Sequence, residues 1–324
     1  MEQTAYLHHK PQGLVKIEDC RAGGCSASTA AFILQEVFNG VIYSRKYEIT
    51  GRIVELKIPF PFWEQEQFKP FSCEGQAEII TEFSLCSRPP EHKGELIHSS
   101  DIHVFRRERW LCIEHFLSVR VKPYAWLCWD ERTPQRMECR ILEEDRELCG
   151  NMGHLFQLMR LEQVCITLRS LLLHASFIRW KGEGILFTAP SGTGKSTQAK
   201  LWEQLQGAEI INGDRAALRK EDGVWKAWGL PYAGSSSIFR NENASVRGIV
   251  VLRKGSENVL CRLRPAEAFK WIYSETVVRS WDASFRDTVA ELLTDLSLSV
   301  PVWMLQCCPD HGAVEILKRE LECE

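Results

Sequence analysis

The sequence predicts an α/β domain preceded by a smaller β-rich domain, and three observations carry that expectation. The chain of 324 residues is long enough to bury two hydrophobic cores. Its apolar pattern changes near residue 150, from short β-type runs to alternating strands and helices. Beyond that change, an apolar strand-like run feeds a glycine-rich loop that opens directly into a helix.

Composition narrows the class without specifying it. Hydrophobic residues make up 44% and charged residues 26%, so the whole chain is expected to fold. A formal net charge of -3 offers no bulk attraction to nucleic acid or to an anionic membrane, and neither partner is expected. The 13 cysteines are odd in number and none are spaced as CxxC. Neither a zinc site nor a disulfide framework is therefore predicted, and reduced thiols in a cytoplasm are the expectation. Cys307 and Cys308, adjacent in a strand-like run, read as one core and one surface residue rather than a redox pair. Residues 1–20 hold no apolar run of signal-peptide length, and no stretch is long and apolar enough to span a bilayer.

In the first domain, residues 49–58, 77–85, 102–105, 110–121 and 124–129 are rich in β-branched and aromatic residues and read as strands, with a helix at 29–43 before them. The charged stretch 143–147, followed by Gly150-Asn151, is the expected boundary, giving domains 1–148 and 149–324. Two features of this half read as ordinary packing or surface. The basic cluster Arg106-Arg107-Glu108-Arg109-Trp110 fits a solvent-facing strand better than a nucleic-acid patch. Pro59-Phe60-Pro61-Phe62-Trp63 fits core packing more simply than a peptide groove.

In the second domain Leu155, Leu158, Leu161, Cys165, Leu168 and Leu172 recur at helical spacing, predicting one long helix over 152–173. Strands are expected at 176–180 and 185–188 around the Lys181-Gly182-Glu183-Gly184 turn. A helix then runs from the glycine-rich loop to Gly207, followed by strands at 209–211, 224–228, 249–252 and 259–263. Pro265 suits a first helical turn ahead of 266–276. Helix 285–298, strand 302–306 and helix 313–321 complete the order.

The loop reads Ala189-Pro190-Ser191-Gly192-Thr193-Gly194-Lys195-Ser196-Thr197. Phosphate oxygens need several converging donors without side-chain bulk and one fixed cation. Gly192 and Gly194 allow close backbone approach at a helix N-terminus, and Lys195 supplies the charge. The Ser196 hydroxyl suits Mg²⁺, and Ser191, Thr193 and Thr197 complete the polar lining of this P-loop. Phosphoryl transfer also needs a carboxylate. Asp214 follows the apolar Ile210-Ile211 run, where open α/β sheets place ligands. It reads either as a turn residue of Asn212-Gly213-Asp214 or as a base and metal ligand, and the upstream loop favours the second. Arg215 beside it suits either transition-state charge or a surface pair, and the serines 235–237 either a loop over the site or plain solvent loop. The strand at 249–252 ends in Arg253-Lys254, so an ordinary Walker-B aspartate is missing.

His174-Ala175-Ser176, Gly182-Glu183-Gly184, Ser191 to Ser196 and Gly213-Asp214 follow one another as in the kinase domain of HPr kinase/phosphorylase, which residues 174–276 resemble. That family belongs to the phosphoenolpyruvate-carboxykinase-like group of P-loop folds. Gly229-Leu230-Pro231-Tyr232-Ala233-Gly234 is similar to a segment of bacterial relatives, some of which accompany peptide-modification genes. The resemblance implies a kinase that moves the γ-phosphate of ATP, with Mg²⁺, to a serine hydroxyl of a peptide or protein. It implies catalytic roles for Lys195, Asp214 and His174, although His174 reads equally as a core histidine. Three departures stand out: Gly213 replaces the first acid of an Asp-Asp pair, Thr197 replaces an acidic residue, and a later glycine-rich signature is missing. Phosphorylase activity is therefore not expected. Two rival functions remain open, a nucleotide-binding or ATPase assembly module with the β-rich domain as partner platform, and a small-metabolite kinase.

Overall fold

The computed structural model describes residues 14–15, 42–91, 94–117, 120–232, 234 and 237–323. The expectations for residues 1–20 apart from 14–15, for helix 29–43 apart from its last two positions, and for Ser235 and Ser236 lie outside the described residues. The chain divides into two compact units, Met1–Lys46, Val54–Trp63 and Ala77–Leu158 in one, and Tyr47–Ile53, Glu64–Gln76 and Met159–Glu324 in the other. Both carry large sheets, and the molecule is a mixed α/β protein.

The N-terminal sheet has nine strands: β1 (Leu14–Val15), β2 (Ile42–Ile49), β3 (Arg52–Ile58), β4 (Ile79–Cys86), β5 (Glu95–Ser99), β6 (Ile102–Arg107), β7 (Trp110–Phe116), β8 (Pro123–Asp130) and β9 (Arg136–Leu142). They lie in the order β1-β2-β3-β4-β9-β8-β7-β6-β5. The run expected at 49–58 is divided, because Thr50 and Gly51 both take positive φ (54° and 70°) and turn the chain between β2 and β3. The run expected at 110–121 stops at Phe116, and β5 and β9 lie outside every expected strand. Their charged residues, such as Glu95, Arg136, Glu138 and Arg140, hid them from a reading based on apolar runs. Cys112 and Cys128 face each other across β7 and β8 and form a disulfide, which corrects the expectation of thiols alone. Only register brings them together, and cysteine spacing does not encode register. Arg106 and Arg109 of the basic cluster pair with Glu131 and Asp130, both at 2.8 Å. Phe60 is buried and Trp63 is exposed.

The helix expected at 152–173 is three elements instead: α1 (Met152–Leu158), α2 (Leu161–Thr167) and the start of strand β10 (Ser170–Trp180). Arg160 (φ 57°) and Arg169 (φ 53°) sit in the left-handed region and break it twice. Leu171, Leu172 and Leu173 are all buried, and a strand covered on both faces reads as a continuous apolar run that also satisfies a helical period.

The second sheet adds β11 (Glu183–Thr188), β12 (Glu209–Asn212), β13 (Arg215–Glu221), β14 (Val224–Trp228), β15 (Asn243–Lys254), β16 (Val259–Arg262) and β17 (Val302–Cys307). β10 and β11 form a hairpin turned by Lys181 and Gly182, which both have positive φ. β11, β15 and β17 run parallel, and β10, β13, β14 and β16 join antiparallel. Helices α3 (Lys195–Gln206), α4 (Pro265–Glu275), α5 (Ala283–Ser299) and α6 (His311–Cys323) complete this unit. One apolar cluster packs Ala268, Ile272, Phe285 and Leu293 of α4 and α5 against Leu173, Phe177 and Ile249. The other packs Ala199, Trp202, Val314 and Leu317 of α3 and α6 against Ile178, Phe187 and Val250. Alternate side chains of one sheet thus feed two cores, the arrangement of a helix-sheet-helix stack. Among the described residues no helix is long and apolar enough to cross a membrane.

Candidate functional site

β10 changes partners in mid-strand, and the site grows from that change. Residues 170–174 pair with β13, while residues 175–180 pair with β11 on one side and residues 177–179 with β12 on the other. His174, opposite Arg215, is the last residue of the first stretch; Ala175, opposite Thr188, begins the second. The Thr188 hydroxyl donates to the His174 carbonyl at 3.0 Å, fastening the end of β11 to this point.

On the far side of β10, β12 and β13 are successive stretches interrupted by Gly213-Asp214. Asn212 Oδ1 accepts from the N–H groups of Asp214 (2.9 Å) and Arg215 (3.0 Å), an Asx turn that re-aims Asp214 out of the ladder. The Ala175 N–H still donates to the Asp214 carbonyl at 3.0 Å, and the buried Ser176 hydroxyl donates to that of Gly213 at 2.9 Å. Asn212 also donates through Nδ2 to the Leu230 (3.2 Å) and Tyr232 (2.8 Å) carbonyls. One buried amide therefore sets both Asp214 and the loop after β14. A Cβ at Gly234 would fall 2.7 Å from the Asp214 side chain, so that loop's backbone lies against the carboxylate.

β11 delivers the glycine-rich loop. Gly192 (φ 75°) and Gly194 (φ 123°) take backbone angles unfavourable to other residues, and a Cβ at either would meet nothing within 4 Å. The space beside the loop is open. Lys195, the first residue of α3, is 7% exposed and donates through Nζ to the carbonyls of Ala189 (2.8 Å) and Pro190 (3.4 Å). Burial lowers its pKa, while Glu275 and then Asp214 act to raise it, and burial prevails. Ser191, Gly192, Ser196 and Thr197 are exposed, and Thr193 and Gly194 half-buried, so the loop and first helical turn face outward. Trp202 packs against Trp180 and Phe187 and seats α3 on the sheet.

His174, Asp214 and Lys195 are thus brought together, with a residue the sequence reading missed. Glu275, last in α4, places Oε2 3.4 Å from His174 Nδ1, while Asp214 Oδ1 lies 3.7 Å from His174 Nε2. Arg215 lies 3.6 Å from Asp214 Oδ2 through Nε and stacks over Tyr232 at 4.9 Å. β15, the parallel neighbour of β11, ends in Arg253-Lys254. Among the described residues no group of three His, Cys, Asp or Glu side chains has the arrangement to hold a metal ion alone.

No family model matches this chain, and no curated protein matches it. Among solved structures it is similar to the HPr(Ser) kinase/phosphatase from Coxiella burnetii, at 13% identity and a TM-score of 0.29, over 47% of this chain and 92% of that one. A likeness of that strength carries neither fold nor activity across.

Proposed function

We propose that this protein is an ATP- and Mg²⁺-dependent phosphotransferase that moves the γ-phosphate to a hydroxyl, a serine of a peptide or protein. One observation carries the reading: a buried lysine at a helix N-terminus, beside an open glycine loop, feels two carboxylates delivered by other elements. A surface turn of similar composition has no reason to bury a lysine or to place acids near it.

The residues fit a polyphosphate. Backbone N–H groups of Gly192 to Lys195 and the Lys195 ammonium are the donors, and the ammonium exchanges loop carbonyls for phosphate oxygens. Mg²⁺, when bound, supplies charge neutralisation at the phosphates. It takes one or two protein oxygens there, for which Ser196 and Asp214 are the candidates, so a cluster of three ligands is not required. Asp214, aimed out of the ladder by Asn212, accepts the proton of the attacking hydroxyl. The Arg215 guanidinium lies against the same carboxylate.

The Arg253-Lys254 end of β15, in place of an acid, favours one alternative, an assembly module that binds nucleotide without transfer. γ-Labelled ATP with Mg²⁺ separates the two when offered to seryl peptides, to small hydroxyl metabolites and to water alone. Label on a peptide serine is the expected result. Label on a metabolite replaces only the acceptor. Nucleotide binding without transfer, at every acceptor, leaves the assembly module.

A further inference from the structure

Two cations stand at the loop end of the second sheet with no carboxylate to hold them. Arg253 and Lys254 close β15, which runs parallel to β11 with Val251 opposite Thr188, so both lie where the glycine-rich loop begins. Both are exposed, and among the described residues neither joins an ion pair. Other cations of the same sheet do: Arg179 meets Glu242 at 2.6 Å and Lys220 meets Asp295 at 2.8 Å. We propose that Arg253 and Lys254 are specificity-determining residues that select an acceptor peptide with an acidic side chain about four residues from its serine. The proposal rests on the kinase reading with Asp214 as the base.

The two side chains flank the loop from both faces of the sheet. Ile249 and Val251 of β15 pack with α4 and α5, while Val250 and Leu252 pack with α3 and α6. Continuing that alternation places Arg253 on the α4 face and Lys254 on the α3 face. Arg253 bears this out, with its guanidinium over the Trp271 ring of α4 at 6.0 Å. Trp271 stands one helical turn before Glu275, whose carboxylate is 3.4 Å from His174. The strap after α4 is bridged to β10 through Thr276 and Leu173. A single turn of helix therefore links the basic end of β15 to the acidic side of the site. The strand end is also held in place: the Gly255 N–H donates to the Cys307 carbonyl at 3.2 Å, and the Cys308 N–H to Asn258 Oδ1 at 3.0 Å.

The charges are sorted across the sheet. Its strands run β12, β10, β11, β15, with Asp214 after the first and Arg253 and Lys254 at the end of the last. Acids thus flank the loop on one side and cations on the other. Lys195 and the loop N–H groups serve the nucleotide phosphates, which leaves the β15 cations for a different anion. Three interstrand spacings separate the flanks, about 14 Å, and four residues of extended peptide span that distance. An acidic side chain is repelled by Asp214 and Glu275 and drawn to Arg253 and Lys254, which sets the direction in which the acceptor lies. Stacking on Trp271 occupies the face of the guanidinium and leaves its edge N–H groups for a carboxylate.

The probes are two synthetic seryl peptides, one with Glu at the fourth position on each side of the serine and one with Gln at both. With the full chain, ATP and Mg²⁺, the Glu peptide should have a KM about 3- to 10-fold lower, a difference that shrinks as salt is raised. Arg253→Gln with Lys254→Gln should remove the difference and change the KM for ATP less than about twofold. Arg253→Glu with Lys254→Glu should instead prefer a peptide with Lys at those positions, a reversal that loss of structure does not produce. Equal KM values for the Glu and Gln peptides in wild type overturn the proposal and leave the kinase standing. A raised KM for ATP in the Gln variant, with the acceptor KM unmoved, assigns the cations to the nucleotide and overturns it too. Fluorescence anisotropy of the same peptides reads binding without transfer. Tighter binding of the Glu peptide, lost in the Gln variant of a protein that transfers no phosphate, retires the kinase and leaves the acidic-peptide contact; equal binding overturns that contact as well.

Discussion

In the loop at 189–195 a Cβ added at Gly194 would meet nothing within 4 Å, whereas one at Gly229 would lie 2.0 Å from the Arg240 carbonyl. The first loop needs glycine for its backbone angle, φ 123°, and keeps the space beside it empty. The second needs glycine because its two ends touch: the Gly229 N–H donates to the Glu242 carbonyl at 2.9 Å, and Asn212 holds the carbonyls of Leu230 and Tyr232 between them. An open loop beside a rigid helix suits a ligand that enters and leaves. A pinched loop pressed on Asp214 suits a base held in one place.

Substitutions can break this contrast, and the largest effect belongs to the pinch. Gly229→Ala drives a Cβ into backbone and is expected to cost about 3 kcal/mol in urea unfolding. A loss near zero would mean that the ends are not closed. Asn212→Ala leaves the turn N–H groups and the loop carbonyls without their partner, for about 2 kcal/mol. Faster amide exchange at Asp214 and Arg215 than elsewhere in the sheet should accompany it. Gly194→Ala meets no atom and pays only for its positive φ, roughly 1–2 kcal/mol, yet it should weaken ATP binding more than either change above. Equal stability losses at Gly194 and Gly229 would erase the distinction.

A smaller effect concerns Lys195. Its pKa lies below the ordinary 10.5, so its charge is lost sooner as pH rises. ATP affinity, followed by calorimetry through the alkaline range, should fall before an ordinary lysine would titrate, and Lys195→Ala should flatten that limb.

Legibility in the sequence follows the same contrast. The open loop was legible because its chemistry is local: strand, glycines, lysine and helix are contiguous, and the Gly207 C-cap (φ 65°) ended the helix as expected. The pinched side was less so. Asn212 read as a turn residue, which it is, but its second pair of hydrogen bonds spans to Leu230 and Tyr232 and has no local signature. β13 was missed because Ala216, Ala217, Arg219 and Lys220 are good helix formers, and pairing with β10 and β14 overrides that preference. Glu275 was invisible for a similar reason. It reaches His174 only because the strap after α4 is bridged to β10, and nothing in residues 265–275 marks the last acid of the helix as different from Glu267.

The measurement that bears most directly on the central claim compares wild type with Asp214→Asn, reading nucleotide affinity and phosphate transfer from the same preparations. Removing the base should slow transfer by about 10²- to 10⁴-fold, a larger change than any in the affinity for ATP, which the glycine loop and Lys195 still hold. Transfer at the wild-type rate in Asp214→Asn would contradict the account and return Asp214 to a turn residue.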